Sequence, residues 1–265
     1  MAYESLLYDK RDGIATVTIN RPHKRNAWTT ELSEEVIEVF GAMEDDPEVL
    51  VSVFTGAGDK AFSAGADLGN ARTHTVTSVG AHLATISPRG FAVFNAVADY
   101  PKPVVAAING YAVGIGCLIT LCCDILLASE NAELGLPQVP LGIIPAYGGA
   151  VRLARYIGRG KAMEMVLLGE RISAAEGYRV GLLNRVVPLP ELMPLAYDYA
   201  QRLAALPPLA ARMAKESLNK GLDIASLKEA AQTDIYRFML LGQTEDSHEA
   251  HRAWRERRKP EFKGR

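Results

Sequence analysis

Two short segments rich in small residues could bring backbone N–H groups to a single substrate oxygen. Segment 64–67 (AGAD) follows a predicted strand, and segment 110–116 (GYAVGIG) lies between a predicted strand and a predicted helix. Small residues let a ligand approach the backbone closely, and the first turn of a helix has N–H groups without a partner inside the helix. Two such donors directed at one oxygen form an oxyanion hole. Either segment alone is also typical of a purely structural turn.

Hydrophobic periodicity indicates the elements that must position these segments. Alternating or continuous apolar runs predict strands over 14–19, 49–55, 104–108 and 124–128. Apolar residues at helical spacing predict a first helix from Thr29 or Thr30 that ends before Pro47. Further helices are predicted over about 89–99, 116–121, 150–156, 160–168, 173–180, 191–205, 208–220, 225–241 and 244–258. The Thr-, Ser- and His-rich segment from about 70 to 90 has weak periodicity and is interpreted as a mobile loop or a loose helix.

The bulk composition excludes several classes of protein. The chain has 265 residues, of which 48% are hydrophobic and 23% charged, and a net charge of −2, so nothing in it calls for nucleic acid or an anionic membrane. No apolar run reaches the roughly 18 residues that a membrane helix needs, and the N-terminus lacks a signal-peptide core, which predicts a cytoplasmic protein. The three cysteines show no zinc-ligand spacing, so we expect buried thiols and no metal.

Motifs along nearly the whole chain resemble the enoyl-CoA hydratase/isomerase (crotonase) superfamily. The likeness runs from about residue 12 to the end, in the order and spacing of that family. The matching stretches are NRPHKRNAW (20–28), AFSAGADL (61–68), KPVVAAINGYAVGIGC (102–117), CDILLASENAELGLPQVPLGIIPAYGGAVRLARYIG (123–158), AMEMVLLGERISAAEGYRVGLLNRVV (162–187) and RRKPEFK (257–263).

This resemblance implies an α/β fold, a superhelix of repeated ββα units. Residues 1–190 would form the ββα core with the CoA-binding and oxyanion loops, and residues 191–265 a helical region for trimerisation and closure of the CoA pocket. The substrate would be an acyl-CoA thioester, with no cofactor beyond its CoA moiety, and trimers or hexamers are expected. The backbone N–H groups of Ala66 and Ile115 match the oxyanion pair of the family.

The resemblance also implies the residues that bind CoA. Positions in the first loops match the CoA-binding segments of the family, and two positions near the C-terminus match residues that reach CoA, often in a neighbouring subunit. The first group is Lys24, Arg25, Ala64, Asp67 and Leu68. The second group is Trp254 and Arg257.

The chain departs from the family at its acid/base positions. Family hydratases use two glutamates, and some relatives use an aspartate at a third position. Here these positions hold Leu118, Gln138 and Ala146, none of which ionises. Proton transfer between water and carbon needs an acid or base within reach, and its loss typically costs a factor of about 10² to 10⁴. Hydration by a glutamate pair is therefore not expected of this divergent member.

Other residues could take over part of this chemistry. Gln138 can form hydrogen bonds with a carbonyl or a water. Tyr147 could donate a proton, although an aromatic wall of the acyl pocket is the favoured interpretation. His74 and His82 have a suitable side chain, yet solvated loop histidines are the simpler explanation.

Three hypotheses for function follow. The first is an acyl-CoA lyase, isomerase or hydrolase that depends on enolate stabilisation. Isomerisation, decarboxylation or hydrolysis is favoured over hydration by a glutamate pair. Hydration through other groups is the remaining alternative. The second is a catalytically weak CoA-binding homologue. The third is RNA binding through Arg252, Arg255, Arg257, Arg258 and Lys259, but interspersed glutamates favour a solvated helix face instead.

Overall fold

The chain begins with a β-hairpin whose turn is set by two residues. A computed structural model of the protein describes residues 3–67, 69 and 89–265. Strands β1 (Leu6–Arg11) and β2 (Ile14–Ile19) pair antiparallel. Asp12 and Gly13 between them have positive φ, 51° and 78°. Because a two-residue turn with positive φ at both positions matches the twist of the strands, Asp-Gly favours this hairpin.

The main sheet extends from this hairpin through parallel strands. Its order is β1-β2-β3-β5-β7-β10. The added strands are β3 (Val51–Gly56), β5 (Val104–Ile108), β7 (Ile125–Ser129) and β10 (Arg185–Val187). Every residue of β3 and β5 is buried, as expected for parallel strands that are covered on both faces. All four strands predicted from the sequence are confirmed to within two residues.

A second, smaller sheet lies at the ends of these strands. It consists of β4 (Ala61–Ser63), β6 (Tyr111–Val113), β8 (Glu133–Gly135) and β9 (Arg171–Ser173), in the order β4-β6-β8-β9. Strands β4, β6 and β8 follow β3, β5 and β7 directly in the chain, so the two sheets are built from repeated ββα units. The predicted ββα architecture is therefore confirmed. Three-residue strands are too short to show a period in the sequence, which is why the pattern missed them.

The helices complete these units and then dominate the C-terminal part. Within the described residues they are α1 (Thr30–Asp45), α2 (Arg89–Ala98), α3 (Ile115–Thr120), α4 (Gly149–Leu168), α5 (Ala174–Arg179), α6 (Leu189–Ala204), α7 (Pro208–Gly221), α8 (Leu227–Leu241) and α9 (Glu245–Glu256). The Thr29 hydroxyl caps α1 by accepting the N–H of Leu32 at 3.2 Å. Gly158, with φ 76° and ψ 160°, kinks α4, so the two helices predicted there form one kinked helix.

Helix α6 packs differently from the two helices that follow it. Its apolar residues Leu192, Ala196 and Ala200 pack against the main sheet, next to Val53 and Val105. The predicted division between residues 190 and 191 thus falls within a helix that covers the sheet. Helices α7 and α8 contain no buried residue. Together with Leu222, the residue after α7, they expose Leu218, Leu227, Ile235, Tyr236, Phe238, Met239 and Leu240. The expected oligomer remains a prediction.

The three cysteines lie in the core as free thiols. Burial raises the pKa of the Cys117 thiol to about 12 and that of Cys122 to about 11, which keeps both protonated and poorly reactive.

In the part of the chain that the structure describes, no helix is long and apolar enough to cross a membrane. The same residues include no group of three or more His, Cys, Asp and Glu placed to hold a metal ion.

Candidate active site

A buried asparagine holds the first glycine-containing loop in place. The Asn26 side chain is inaccessible to solvent, and its Nδ2 donates to the carbonyls of Ala57 at 3.0 Å and Ala61 at 2.7 Å. Its Oδ1 accepts the N–H of Arg21 at 3.0 Å. The backbone N–H of Ala64 in turn donates to the Arg25 carbonyl at 3.0 Å. These bonds tie the loop after β2 to β4 and to the start of segment 64–67.

The backbone around Ala66 leaves its N–H group available. Trp28 forms an isolated parallel bridge with Ala66, in which the Trp28 N–H donates to Gly65 O at 2.8 Å and the Asp67 N–H donates to Trp28 O at 2.9 Å. Both bonds use the neighbours of Ala66 and not its own N–H. Among the described residues this N–H has no acceptor, and Ala66 is exposed. It can therefore donate to a ligand.

The second loop ends at the first residue of α3. Gly114 has φ 58° and ψ −117°, a conformation that side chains disfavour, and Ile115 follows as the first helical residue. The Gly114 N–H donates to the Gly135 carbonyl oxygen at 2.9 Å, and the Leu118 N–H donates to the Gly114 carbonyl oxygen at 3.0 Å. The Ile115 N–H has no acceptor inside the helix, because the first N–H groups of any helix lack one.

The two loops pack so closely that only glycine fits at their contacts. A Cβ added to Gly65 would lie 2.9 Å from the Val113 carbonyl oxygen and 3.9 Å from Gly114 Cα. A Cβ added to Gly116 would lie 2.4 Å from the Ser63 carbonyl oxygen. The segments that carry Ala66 and Ile115 are thus brought together, as the sequence predicts for them. Two N–H groups on adjoining loops are the arrangement that an oxyanion hole needs.

Two of the three positions predicted to lack an acid or base, Leu118 and Gln138, lie next to the second loop. The Leu118 side chain is only 2% exposed and packs against Gly149, where an added Cβ would lie 2.9 Å from Leu118 Cδ1. The Gln138 amide approaches the Gly114 turn, with Nε2 3.7 Å from the position that a Cβ on Gly114 would occupy. Ala146 is exposed. None of the three side chains can transfer a proton at neutral pH.

Tyr147 lies in an aromatic cluster. Its ring stacks on Phe94, with centroids 5.0 Å apart and planes 24° apart, and meets the edge of Phe91 at 5.1 Å. Its backbone has φ 56°, which is unusual outside glycine and is held here by the packing around it. This placement supports its interpretation as a wall of the pocket. Proton donation by its hydroxyl remains a prediction.

Asp67 makes an ion pair within the first loop. Its Oδ2 lies 3.2 Å from Arg21, whose guanidinium also donates to the Ala27 carbonyl, and its Oδ1 accepts the N–H of Gly69 at 3.2 Å. The hydrogen bond from Arg21 lowers the pKa of the Asp67 carboxyl. Lys24 and Arg25, in contrast, are exposed beside this loop. Leu68, His74 and His82 lie outside the described residues.

Trp254 and Arg257 occupy the surface of α9 and its C-terminal cap. Trp254 is 81% exposed, and Arg257 has φ 55°. Asp246 anchors the tail by accepting the N–H groups of Lys263 at 2.6 Å and Gly264 at 2.8 Å. In the described part of the chain no hydrogen bond or ion pair joins α9 to the two loops. The contact of Trp254 and Arg257 with CoA, in their own or a neighbouring subunit, stays a prediction.

The basic run of α9 is partly neutralised within the chain. Arg252 and Arg258 both pair with the carboxylate of Glu249, and Arg258 also pairs with Glu256 at 2.7 Å. These pairs support the interpretation of the run as a solvated helix face.

Comparison with known proteins places the chain in one family. The sequence matches the enoyl-CoA hydratase/isomerase family over residues 9–265. It is 38% identical to a short-chain-enoyl-CoA hydratase of Clostridium acetobutylicum, over 100% of both chains, and 37% identical to a crotonyl-CoA hydratase of Syntrophomonas wolfei, over 99% of both. The crystal structure of an enoyl-CoA hydratase from Bacillus anthracis superimposes with a TM-score of 0.92 at 34% identity, covering 99% of this chain and 100% of that one. The protein belongs to the enoyl-CoA hydratase/isomerase family, and the predicted resemblance is confirmed.

Proposed function

We propose that this protein is an acyl-CoA enzyme that stabilises the enolate of a thioester through the backbone N–H groups of Ala66 and Ile115. The observation that carries the proposal is the close packing of the two loops, which brings these donors onto adjoining segments. A thioester carbonyl gains negative charge when it becomes an enolate. Donors that are already in place stabilise that charge without reorganisation during the reaction.

We propose further that the reaction does not use a pair of glutamates. Leu118 and Gln138 stand where the family hydratases carry them, and Ala146 stands at the third position. We therefore favour isomerisation, decarboxylation or thioester hydrolysis as the reaction over hydration by a glutamate pair. Decarboxylation is affected least by these replacements, since loss of CO₂ forms the enolate without a base, and the apolar Leu118 suits a dry pocket.

Hydration of a 2-enoyl-CoA is the second candidate. It is supported by the names of the relatives, which are called hydratases and match the whole chain at 37–38% identity. The proton would then have to move through other groups, of which Tyr147, His74 and His82 are the candidates. The Gln138 amide would position the water but could not deprotonate it.

One set of assays tests these proposals together. The full chain is incubated in D₂O with butyryl-CoA, crotonyl-CoA, a 3-enoyl-CoA and methylmalonyl-CoA, and products and deuterium incorporation are measured by mass spectrometry. We expect turnover of at least one ester or exchange of an α-proton, with crotonyl-CoA hydration slower than any decarboxylation or isomerisation. Calorimetric binding of the esters without turnover or exchange would instead identify a CoA-binding homologue. A predominant hydratase activity would favour the second candidate.

A further inference from the structure

Helix α3 offers a ligand accessible surface only at its first residue. Residues 116–120 of the helix are all buried, whereas Ile115 is half-buried. Ile115 packs in part against the core cluster that contains Leu118 and Phe94. The N–H that lacks an acceptor inside the helix belongs to the same residue. A ligand that accepts a hydrogen bond from this N–H therefore lies beside a branched apolar side chain.

The backbone on both sides of Ile115 is held in place. The Gly114 N–H donates to the Gly135 carbonyl at 2.9 Å, and the Gly114 carbonyl accepts the Leu118 N–H at 3.0 Å. On the other side, Gly116 lies so close to Ser63 that an added Cβ would be 2.4 Å from the Ser63 carbonyl oxygen. Close-packed structure of this kind transmits strain and does not yield to it. Ile115 thus cannot move aside for a larger ligand.

The side chain of Ile115 lies close to any oxygen that its N–H holds. The N–Cα bond is about 1.46 Å long, and an acceptor oxygen lies roughly 2.9 Å from the nitrogen. In a thioester, carbon 2 of the acyl chain is only two bonds from that oxygen. Leu118 occupies a position that serves the acyl carbons in family hydratases, and residues three apart share one face of a helix. Ile115 is therefore on the acyl side of the thioester.

We propose that the Ile115 side chain is a specificity determinant that admits acyl-CoA thioesters with an unbranched carbon 2 and disfavours those that carry a branch there. A β-branched side chain has little freedom at χ1, so it cannot rotate away from the added group. The inference rests on the proposed function, since it requires the thioester oxygen at the Ile115 N–H. Among decarboxylation substrates it predicts a preference for malonyl-CoA over methylmalonyl-CoA, which has a methyl group on carbon 2.

The test compares two isomeric esters that differ only in where one methyl group is attached. Isobutyryl-CoA carries it on carbon 2 and butyryl-CoA on carbon 3, with propionyl-CoA as the common parent. Isothermal calorimetry on the full chain measures Kd for all three, and chromatography confirms that the esters remain intact. We expect isobutyryl-CoA to bind at least about tenfold more weakly than butyryl-CoA, the lower end of what one such group contributes in a pocket.

Variants at position 115 assign this preference to the side chain. Ile115→Gly removes the side chain and keeps the N–H, so the ratio of the two Kd values should fall below about threefold. Ile115→Ala has the same purpose and a higher helix propensity, should the glycine variant fail to fold. Ile115→Val is the matched control, because it keeps the branch at Cβ and should retain the preference.

The possible results are distinguishable from failure of the proposed function. Equal affinity of the wild-type chain for the two isomers would overturn the inference. A preference that persists in both Ile115→Gly and Ile115→Ala would assign it to another residue, with the same consequence. Absence of binding by all three esters would contradict the acyl-CoA function itself, and the inference with it.

Discussion

The two glycine-rich loops and the neighbouring acid/base positions differ in what supplies their chemistry. In the loops the reactive groups are backbone N–H groups, and their placement depends on Gly65, Gly114 and Gly116, where a side chain would disturb the turn or its contacts. At the acid/base positions the side chains themselves would act, and Leu118 and Gln138 provide no ionisable group there. One half of the candidate site thus depends on backbone geometry, while the other half depends on which side chains are present.

This difference separates two kinds of function in one pocket. Any residue but proline offers a backbone N–H, so Ile115 can donate as well as a glycine can. A glutamine or leucine cannot perform the work of a glutamate, whatever the backbone does. Changes in the loops should therefore alter binding and enolate stabilisation. Changes in the side chains at positions 118 and 138 should alter which reaction is catalysed.

Removing one backbone donor should have the largest effect. Proline is well tolerated at the first position of a helix and has no N–H, so Ile115→Pro deletes the donor and preserves α3. We expect kcat for the most active ester to fall by about 10²- to 10³-fold, as for other oxyanion-hole donors. Steady-state kinetics measures the loss, and thermal unfolding confirms the fold.

Ile115→Val is the matched control for this change. It keeps the N–H and a β-branched side chain, so kcat should stay within a few-fold of wild type. Equal losses in both variants would mean that the side chain and not the N–H carries the effect. An unchanged kcat in Ile115→Pro would remove Ile115 from the oxyanion hole.

Supplying the missing carboxylates should change the reaction and not the binding. The double variant Leu118→Glu/Gln138→Glu is expected to raise crotonyl-CoA hydration by about 10²-fold, the lower end of what acid/base assistance contributes. The control Leu118→Gln keeps the polarity without an ionisable group and should leave hydration unchanged. Hydration is followed by the loss of the conjugated thioester absorbance. A rise in the control as well would show that polarity alone limits the reaction.

The sequence predicts the loops well because their determinants are local. Gly114 and Gly116 lie within one turn of the donor that they position, and the apolar runs of β3 and β5 mark the strands before the loops. The anchor of the first loop could not be predicted in this way. Asn26 contacts the carbonyls of Ala57 and Ala61, 31 and 35 residues away, and no local pattern identifies such partners. The sequence offers only an asparagine that follows three basic residues, seven positions after the end of β2.

The contacts around positions 118, 138 and 146 cannot be predicted from local sequence either, because their partners are distant in the chain. The ring of Tyr147 is held by Phe91 and Phe94, which lie on a helix far earlier in the chain. No local pattern identifies Arg21 as the partner of Asp67, because the two residues are 46 positions apart in the chain. The role of Trp254 and Arg257 stays a prediction, since no hydrogen bond or ion pair among the described residues joins either of them to the two loops.

Asn26 should be essential to the stability of the loop side of the site. Asn26→Ala leaves the carbonyls of Ala57 and Ala61 without their donor and places alanine at φ 55°. We expect the free energy of unfolding to fall by about 2–3 kcal/mol, from urea titration, since buried groups without partners are costly. Asn131→Ala removes an exposed bond to the Asp59 carbonyl, 3.1 Å long, and should cost less than about 0.5 kcal/mol. Similar losses in both variants would contradict the role given to Asn26.

The ion pair between Arg21 and Asp67 should produce the smallest effect, and this effect should disappear at acidic pH. The hydrogen bond from Arg21 lowers the pKa of Asp67 in the folded chain, so the pair stabilises the fold fully above the usual aspartate pKa of about 3.9. Its contribution is lost as pH falls through the lowered value, because the unfolded state then gains protons first. Urea midpoints of wild type and Asp67→Asn should differ at pH 7 and converge toward pH 3. Asp198→Asn, which breaks an exposed pair with Arg202 at 3.4 Å, should show no such convergence. A constant difference between wild type and Asp67→Asn across this range would mean that the loop depends on the shape of Asp67 and not on its charge.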